Sequence, residues 1–338
     1  MKLLVRAPNW LGDAVMSLGF LGKLAEEFPD AEIHLIVKDT LAGLFEQVPA
    51  VTRVHTFTKS AQGGFQGTRA FGRKIGAHGP FDVFFCLPDS FSSAFMGVFT
   101  GSRRRVGFRG QWRSFLLTDA CRKPSGLHRA EEYAHLLSQH CGHDVGPLAV
   151  RLCADRSAGL ALLPEKRPVI VLNPNSEAPS RRTSSEKWKT VARALHERVP
   201  CSLVLIGGPG DCSRAGEVAA AIAMPEAVTD LSGKTTLAQL ASVLAAADLV
   251  VSVDSGPAHL ANAIGTPTIV FFGAGNEANT APCDKRNLRV LRAPGLACAP
   301  CSSNTCRYGY PPQCLEQIPA ESVVEAATEL LGGRLRRT

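Results

Sequence analysis

The chain has 338 residues, 45% of them hydrophobic and 20% charged, the balance of a globular protein long enough for two domains and not of a disordered one. No apolar run approaches bilayer-spanning length. The opening MKLLVRAPNWLGD is broken by Arg6 and Asp13 where a secretory signal needs an unbroken apolar stretch, so a cytoplasmic location is expected. The net charge of +7 is a mild excess whose placement matters more than its size, and the 11 cysteines, scattered in apolar segments such as those of Cys86, Cys153 and Cys201, read as reduced thiols rather than a disulfide scaffold.

In the first half a strand is expected over 2–7, then the loop Pro8-Asn9-Trp10-Leu11-Gly12-Asp13 and a helix from 14 to about 28 with Val15, Leu18, Leu21 and Leu24 on one face. Strands near 33–37 and 51–57 flank a helix near 41–48. A helix around 69–77 leads to a strand over 81–87. This alternation implies a parallel, doubly wound sheet, whose ligands lie beyond the carboxyl ends of the strands. Asp13 belongs to such a loop. It reads equally as a helix N-cap or as a catalytic carboxylate, and Trp10 and Gly12 before it read as a shaped loop. Residues 102–118, SRRRVGFRGQWRSFLLT, hold Arg103, Arg104, Arg105, Arg109 and Arg113 with no acid before Asp119. Arginine suits bidentate contact with phosphate or carboxylate, and Phe108 and Trp112 are placed to stack on a sugar or base. A solvated basic face is the plain alternative. No helix-turn-helix, zinc-finger or RNP pattern supports nucleic acid.

Residues 156–167 separate two strongly patterned regions and are expected to be a linker. A second αβ series follows, with a strand over 168–173, a loop over 174–183 carrying Arg181 and Arg182, and a helix over 185–198. A strand over 201–206 ends in Gly207-Gly208-Pro209-Gly210-Asp211, where the backbone can approach a ligand closely, and Asp211 reads as a ribose ligand or a cap. Neither a G-x-G-x-x-G fingerprint nor a Walker A loop is present, since Ser232-Gly233-Lys234-Thr235 has Val228 where the first glycine belongs. A helix over 237–246 precedes the strand 249–253. Asp254-Ser255-Gly256-Pro257 then turns into a short helix carrying His259, Gly265-Thr266-Pro267 ends that helix, and 268–272 is the next strand. Such a turn aims backbone N–H groups and a helix dipole at one spot, as a phosphate site does; the alternative is an ordinary strand-to-helix turn, with His259 a packed residue. Cys298, Cys301, Cys306 and Cys314 fall within 17 residues, spaced for a structural zinc, for disulfides, or as adjacent free thiols.

NWLGDAVMS (9–17), LPDSFSSA (87–94), VGFRGQWR (106–113) and DSGPAHLANAIGTP (254–267) together resemble the ADP-heptose:lipopolysaccharide heptosyltransferases of glycosyltransferase family nine, most nearly the heptosyltransferase II branch. The resemblance implies an α/β GT-B fold of two Rossmann-like domains about a cleft, the acceptor domain over 1–155 and the nucleotide-sugar domain over 168–320, followed by a helix and basic tail over 321–338. It implies an inverting transfer of heptose from ADP-heptose to heptose I of the lipopolysaccharide inner core, with no cofactor or catalytic metal, no nucleic acid partner, and peripheral contact with the cytoplasmic face of the inner membrane. Asp13 matches the family's proposed base. Arg181, Arg182, Asp211, Asp254, Ser255, Gly256, Pro257 and His259 fall on the donor side. Trp10, Arg104, Arg105, Arg109 and Arg113 are the acceptor candidates. Where the family has Lys-Arg-Trp-Pro, this chain has Arg181-Arg182-Thr183-Ser184; Arg181 keeps the charge. A related transferase of heptosyltransferase I or III type, a nicotinamide oxidoreductase and a non-catalytic anion-binding protein are the competing expectations.

Overall fold

The computed structural model describes residues 1–46 and 48–335 and divides into two compact units, Met1–Arg151 and Leu152–Thr338. The first unit is built on strands β1 (Lys2–Arg6), β2 (Glu32–Lys38), β3 (Arg53–Phe57), β4 (Val83–Cys86), β5 (Arg104–Phe108) and β6 (Asp119–Cys121), lying in the order β3-β2-β1-β4-β5-β6. The second unit is built on β7 (Val169–Asn173), β8 (Ser202–Leu205), β9 (Val228–Asp230), β10 (Leu249–Val253), β11 (Thr268–Phe271) and β12 (Leu288–Leu291), in the order β12-β11-β10-β7-β8-β9. All neighbours pair in parallel. Counted from its own first strand, each sheet runs 3-2-1-4-5-6, the doubly wound order of a dinucleotide-binding fold, so the chain has the expected α/β class with two Rossmann-like sheets. In each sheet the order reverses between the first and fourth strands, β1/β4 and β7/β10. The crevice for ligands opens there.

The central strands form where the sequence is apolar on both faces. VIVLN of β7 and LVVSV of β10 are buried throughout, and each fully buried Val or Leu is worth about 1.5–3 kcal/mol. Trp188 of the helix Ser185–Arg198 stacks on Phe271 at 5.5 Å in the second core, and the helix Ala320–Leu335 adds Val323 and Ala327 to it. That last helix is thus part of the second sheet's packing. Residues 336–338 of the expected basic tail lie outside the described residues. Among the described residues no helix is long and apolar enough to cross a membrane.

Two stretches differ from their sequence pattern. The first helix is Leu11–Glu27, with Trp10 at its N-cap and no side-chain cap bond. Asp13 therefore lies inside the first turn and not at the cap position, where a carboxylate suits the positive helix end. Residues 156–167 open with the helix Arg156–Leu160, capped by Asp155 through the N–H groups of Ser157 (2.9 Å) and Ala158 (3.2 Å). This helix belongs to the second unit and packs on the helix Leu237–Ala246. A Cβ on Gly159 would stand 1.9 Å from the Ser242 carbonyl oxygen, so the two backbones touch. Gly159 is what permits this contact, and the two compact units divide between Arg151 and Leu152.

Candidate active site

In the first unit the loops after β1 and β4 meet at the switch point. Asp13 Oδ1 lies 3.5 Å from Arg129 Nε, at the start of the helix Arg129–Cys141. That helix is fixed by a capping box in which His128 and Glu131 each accept a backbone N–H. Arg129 also pairs with Glu132 at 2.7 Å and Asp89 at 3.8 Å, and Lys123 pairs with Asp89 at 2.7 Å and Glu132 at 3.2 Å. Arg113, only 1% exposed, donates to Asp89 Oδ1 at 2.9 Å and to the Pro88 carbonyl. Three carboxylates and three cations thus interlock around Asp13. Burial opposes the charge on Arg129, but Tyr133, Asp13, Glu132 and Asp89 hold its pKa above the ordinary value. Tyr133 beside them is buried; burial first, then Asp13, pushes its phenol well above the usual range, so it stays neutral. Behind the loop, Arg6 is fully buried over the Phe57 ring at 4.2 Å, donates to the Ala7 carbonyl and the Asn9 side chain, and braces residues 7–9. Burial lowers its pKa to about 10, which leaves it charged at neutral pH.

The arginine-rich segment is divided by the sheet. Arg104 pairs in register with Val83, and Val83 with Leu3, so Arg104 and Arg105 stand at the amino edge while Asp13 stands beyond the carboxyl edge. Arg104 is bidentate to Asp119 at 3.2 and 2.6 Å, Arg105 Nε donates to the Leu116 carbonyl at 2.8 Å, and Arg103 lies 3.4 Å from Asp82. Of the charges that look unopposed in sequence, Arg103, Arg104 and Arg113 find acids on neighbouring strands and loops, and Arg105 finds backbone carbonyls. Of the acceptor candidates, Arg113 reaches the Asp13 cluster through Asp89, Arg109 is exposed just past the carboxyl end of β5, and Trp10 is 62% exposed beside the Asp13 turn.

In the second unit the ends of β7, β10 and β8 are neighbours, and they bring three loops together. Asn173 at the tip of β7 donates to Ser252 Oγ at 2.8 Å and to Ser255 Oγ at 2.7 Å, tying the loops after β7 and β10. Asn175 donates to the Ile206 carbonyl at 2.9 Å, tying the loop after β8. Arg181 Nη1 stands 3.2 Å from Asp254 Oδ2, a carboxylate only 3% exposed. Arg182 folds back on the carbonyls of Ser176 and Glu177 and braces its own loop. The helix Gly256–Ile264 begins at Ser255, extended at φ −162°, with Gly256 and Pro257 in its first turn, His259 buried along it and Gly265 (φ 96°) closing it. Asp211 accepts the Gly208 N–H at 2.9 Å. Gly207 before it has no room for a side chain, since a Cβ would meet Asn175 Nδ2 at 2.7 Å. A cationic side chain, a helix N-terminus and a glycine turn at one sheet crevice form an anion-binding arrangement.

The sequence model of Glycosyltransferase family 9 (heptosyltransferase) matches residues 68–310. The chain belongs to that family. This family 9 glycosyltransferase is 25% identical over 98% of its length to Lipooligosaccharide heptosyltransferase 2 of Haemophilus ducreyi, covering 99% of that protein. It is 27% identical to Lipopolysaccharide heptosyltransferase 2 of Escherichia coli, over 86% of this chain and 88% of that one. The structure of E. coli ADP-heptose lps heptosyltransferase II superposes with a TM-score of 0.84 and 26% identity, covering 99% of this chain and 100% of that one, and gives the fold its GT-B class.

The cysteine cluster of the enzyme does not form the tetrahedral set a zinc ion needs. Cys298, Cys301, Cys306 and Cys314 carry free thiols lining a cavity of about 400 Å³, and among the described residues no group of three or more His, Cys, Asp or Glu side chains is arranged to hold a metal ion. Burial, then Cys306, Cys298 and Cys301, raises the Cys314 pKa. Sequence reasoning also passed over residues that build the crevices. Asp89 sits inside a quoted motif without a role, and Lys123, Arg129 and Glu132 carry no local pattern. Asn173 had a signal, a polar residue closing the apolar run VIVL.

Proposed function

We propose that this glycosyltransferase moves heptose from ADP-heptose to heptose I of the lipopolysaccharide inner core with inversion at the anomeric carbon. The first unit takes the acceptor and the second takes the donor. Asp13 accepts the proton of the attacking hydroxyl as its oxygen bonds to the anomeric carbon and the bond to the diphosphate breaks. A positioned base of this kind contributes about 10²–10⁴-fold. ADP leaves with the electron pair, and Arg181 with the first-turn N–H groups of the helix Gly256–Ile264 balances its charge. Asp254 is an anion beside that site and would repel a diphosphate directly; at 3.2 Å it aims the Arg181 guanidinium instead. Ser255 and Asn173 fix the turn, and Asp211 is within the loop that meets the ribose. A single displacement with no enzyme-bound sugar inverts the centre. The Kdo carboxylates and lipid phosphates of the acceptor suit the exposed Arg109, while the buried Arg113 acts through Asp89, and an acceptor held in the inner membrane calls for peripheral contact with its cytoplasmic face.

The observation that carries this reading is the pair of charged switch points, a carboxylate held by a cation after β1 and a cation held by a carboxylate beside a helix N-terminus after β7 and β10. Incubation with ADP-heptose and a one-heptose inner-core acceptor tests it. ADP release with a product inverted by NMR is expected, and no ADP release overturns the reading. Substituting a Kdo-only or a two-heptose acceptor distinguishes the type I and type III activities.

A further inference from the structure

The first unit exposes Phe65, Trp112 and Phe115, rings that extend outward from Phe91 and Phe95, which are half-buried against its core. Phe65, at the start of the helix Gly64–Gly76, is 66% exposed and lies 6.3 Å from Phe91 and 5.5 Å from Phe95 on the helix Phe91–Val98. Phe91 stacks on Phe95 at 6.0 Å and reaches Phe115, 74% exposed, at 6.2 Å. Trp112, 90% exposed, lies three residues before Phe115 on the same loop. Rings this large are rarely left in water without a partner. The charge within the segments that carry them has one sign, and the nearby Asp89 is paired with Arg113 and Lys123. Residues 47–81 and 90–118 contain no Asp or Glu, while Arg69 and Arg73 follow Phe65 at i+4 and i+8 on its helix, both exposed, and Arg69 lies over Phe99 at 5.6 Å.

We propose that this face docks on an anionic lipid bilayer, with Phe65, Phe91 and Phe115 entering the headgroup–acyl boundary and Arg69 and Arg73 meeting lipid phosphates. Aromatic rings favour that boundary, and basic side chains near an anionic leaflet add attraction that salt screens. A second copy of the chain is the poorer occupant, because two such faces would bring cations against cations. The docked face also has a use. Phe91 follows Asp89 by two residues, so docking brings the Asp13–Arg129–Asp89 cluster to the lipid surface. This extends the acceptor assignment above and in its purpose rests on it; the docking itself does not.

The test is co-sedimentation of the full chain with vesicles of phosphatidylglycerol and phosphatidylethanolamine, against vesicles of phosphatidylcholine, at low and high salt. Binding to the anionic vesicles is expected to exceed binding to the neutral ones by about tenfold and to weaken with salt. Phe65→Ser with Phe115→Ser, and separately Arg69→Glu with Arg73→Glu, are each expected to reduce it about tenfold while keeping turnover on a deacylated, water-soluble acceptor. Absence of wild-type binding, equal binding by both variants, or a solution dimer that the phenylalanine substitutions dissociate would overturn the proposal. Vesicle binding without heptose transfer would leave the docking in place and remove the acceptor assignment.

Discussion

In the proposed reaction Asp13 serves as a base while one of its oxygens lies 3.5 Å from a guanidinium, and the two demands are compatible because Arg129 is itself shared with Glu132 and Asp89. Asp13→Asn keeps the shape and removes the proton acceptor. Turnover should fall by about 10²–10⁴-fold with the Kd for ADP unchanged, as steady-state kinetics and calorimetry would show. Normal turnover would reduce Asp13 to an ion-pair partner. Arg181 poses the opposite case, a cation whose proposed role is to hold an anion. Arg181→Ala should weaken ADP-heptose binding by about tenfold or more, the size expected of a charged hydrogen bond. Because it also removes an ion pair from the buried Asp254, Arg181→Lys is the needed companion, keeping the charge and losing the planar fork. Unchanged affinity in both variants would take Arg181 out of the diphosphate site. Asp13 and Arg181 were legible in the sequence, since each follows an apolar strand. Their partners were not: Arg129 is 116 residues from Asp13, and only the folded sheet makes them neighbours.

At the scale of elements, periodicity located the strand Leu249–Val253 and the helices Ser185–Arg198 and Leu237–Ala246, because burial on one or both faces leaves a repeat in the residues. It misread what depends on pairing between elements. The arginines of residues 103–113 looked like one patch, and register puts Arg104 and Arg105 at the amino edge of the sheet and Arg109 past the carboxyl end of β5. A second such pairing lies on β2 and β3, where His34 Nδ1 meets His55 Nε2 at 3.0 Å and His34 Nε2 meets Glu32 at 2.6 Å. Burial lowers the pKa of both histidines, that of His55 to about 4 with His34 and His78 adding to the effect. In the unfolded chain both return to about 6.5 and bind protons that the folded state refuses. Stability is therefore full above pH 6.5 and declines as the pH falls towards 4, by on the order of 3 kcal/mol for His55 once fully titrated. Urea midpoints should drop between pH 7.5 and pH 5, and His55→Gln should flatten that slope. A variant as pH-sensitive as the parent would assign the loss to other groups.

At the scale of the whole molecule, the sequence showed two αβ series and the structure gives them the same strand order, so each unit has its own switch point and its own cluster of charges. Residues 156–167 read as a linker because the short helix Arg156–Leu160, with Gly159 at its contact, shows its packing only once its partner helix is known. This duplication makes the assignment of donor and acceptor testable without catalysis. A ligand bound to the folded state alone stabilises it by RT ln(1 + [L]/Kd), about 2.7 kcal/mol at a hundredfold excess over Kd, and the gain is greatest where contacts order the backbone. With ADP, amide hydrogen exchange should slow most in the loops over 173–182 and 254–259, which Asn173 and the Arg181–Asp254 pair already tie together. The loop over 9–13, which carries Asp13 in the first turn of its helix, should change less. Protection confined to residues 1–151 would reverse the two roles. Arg181→Ala should remove the effect over 254–259 at the same ADP concentration, which separates occupancy of this crevice from a general stiffening of the second unit.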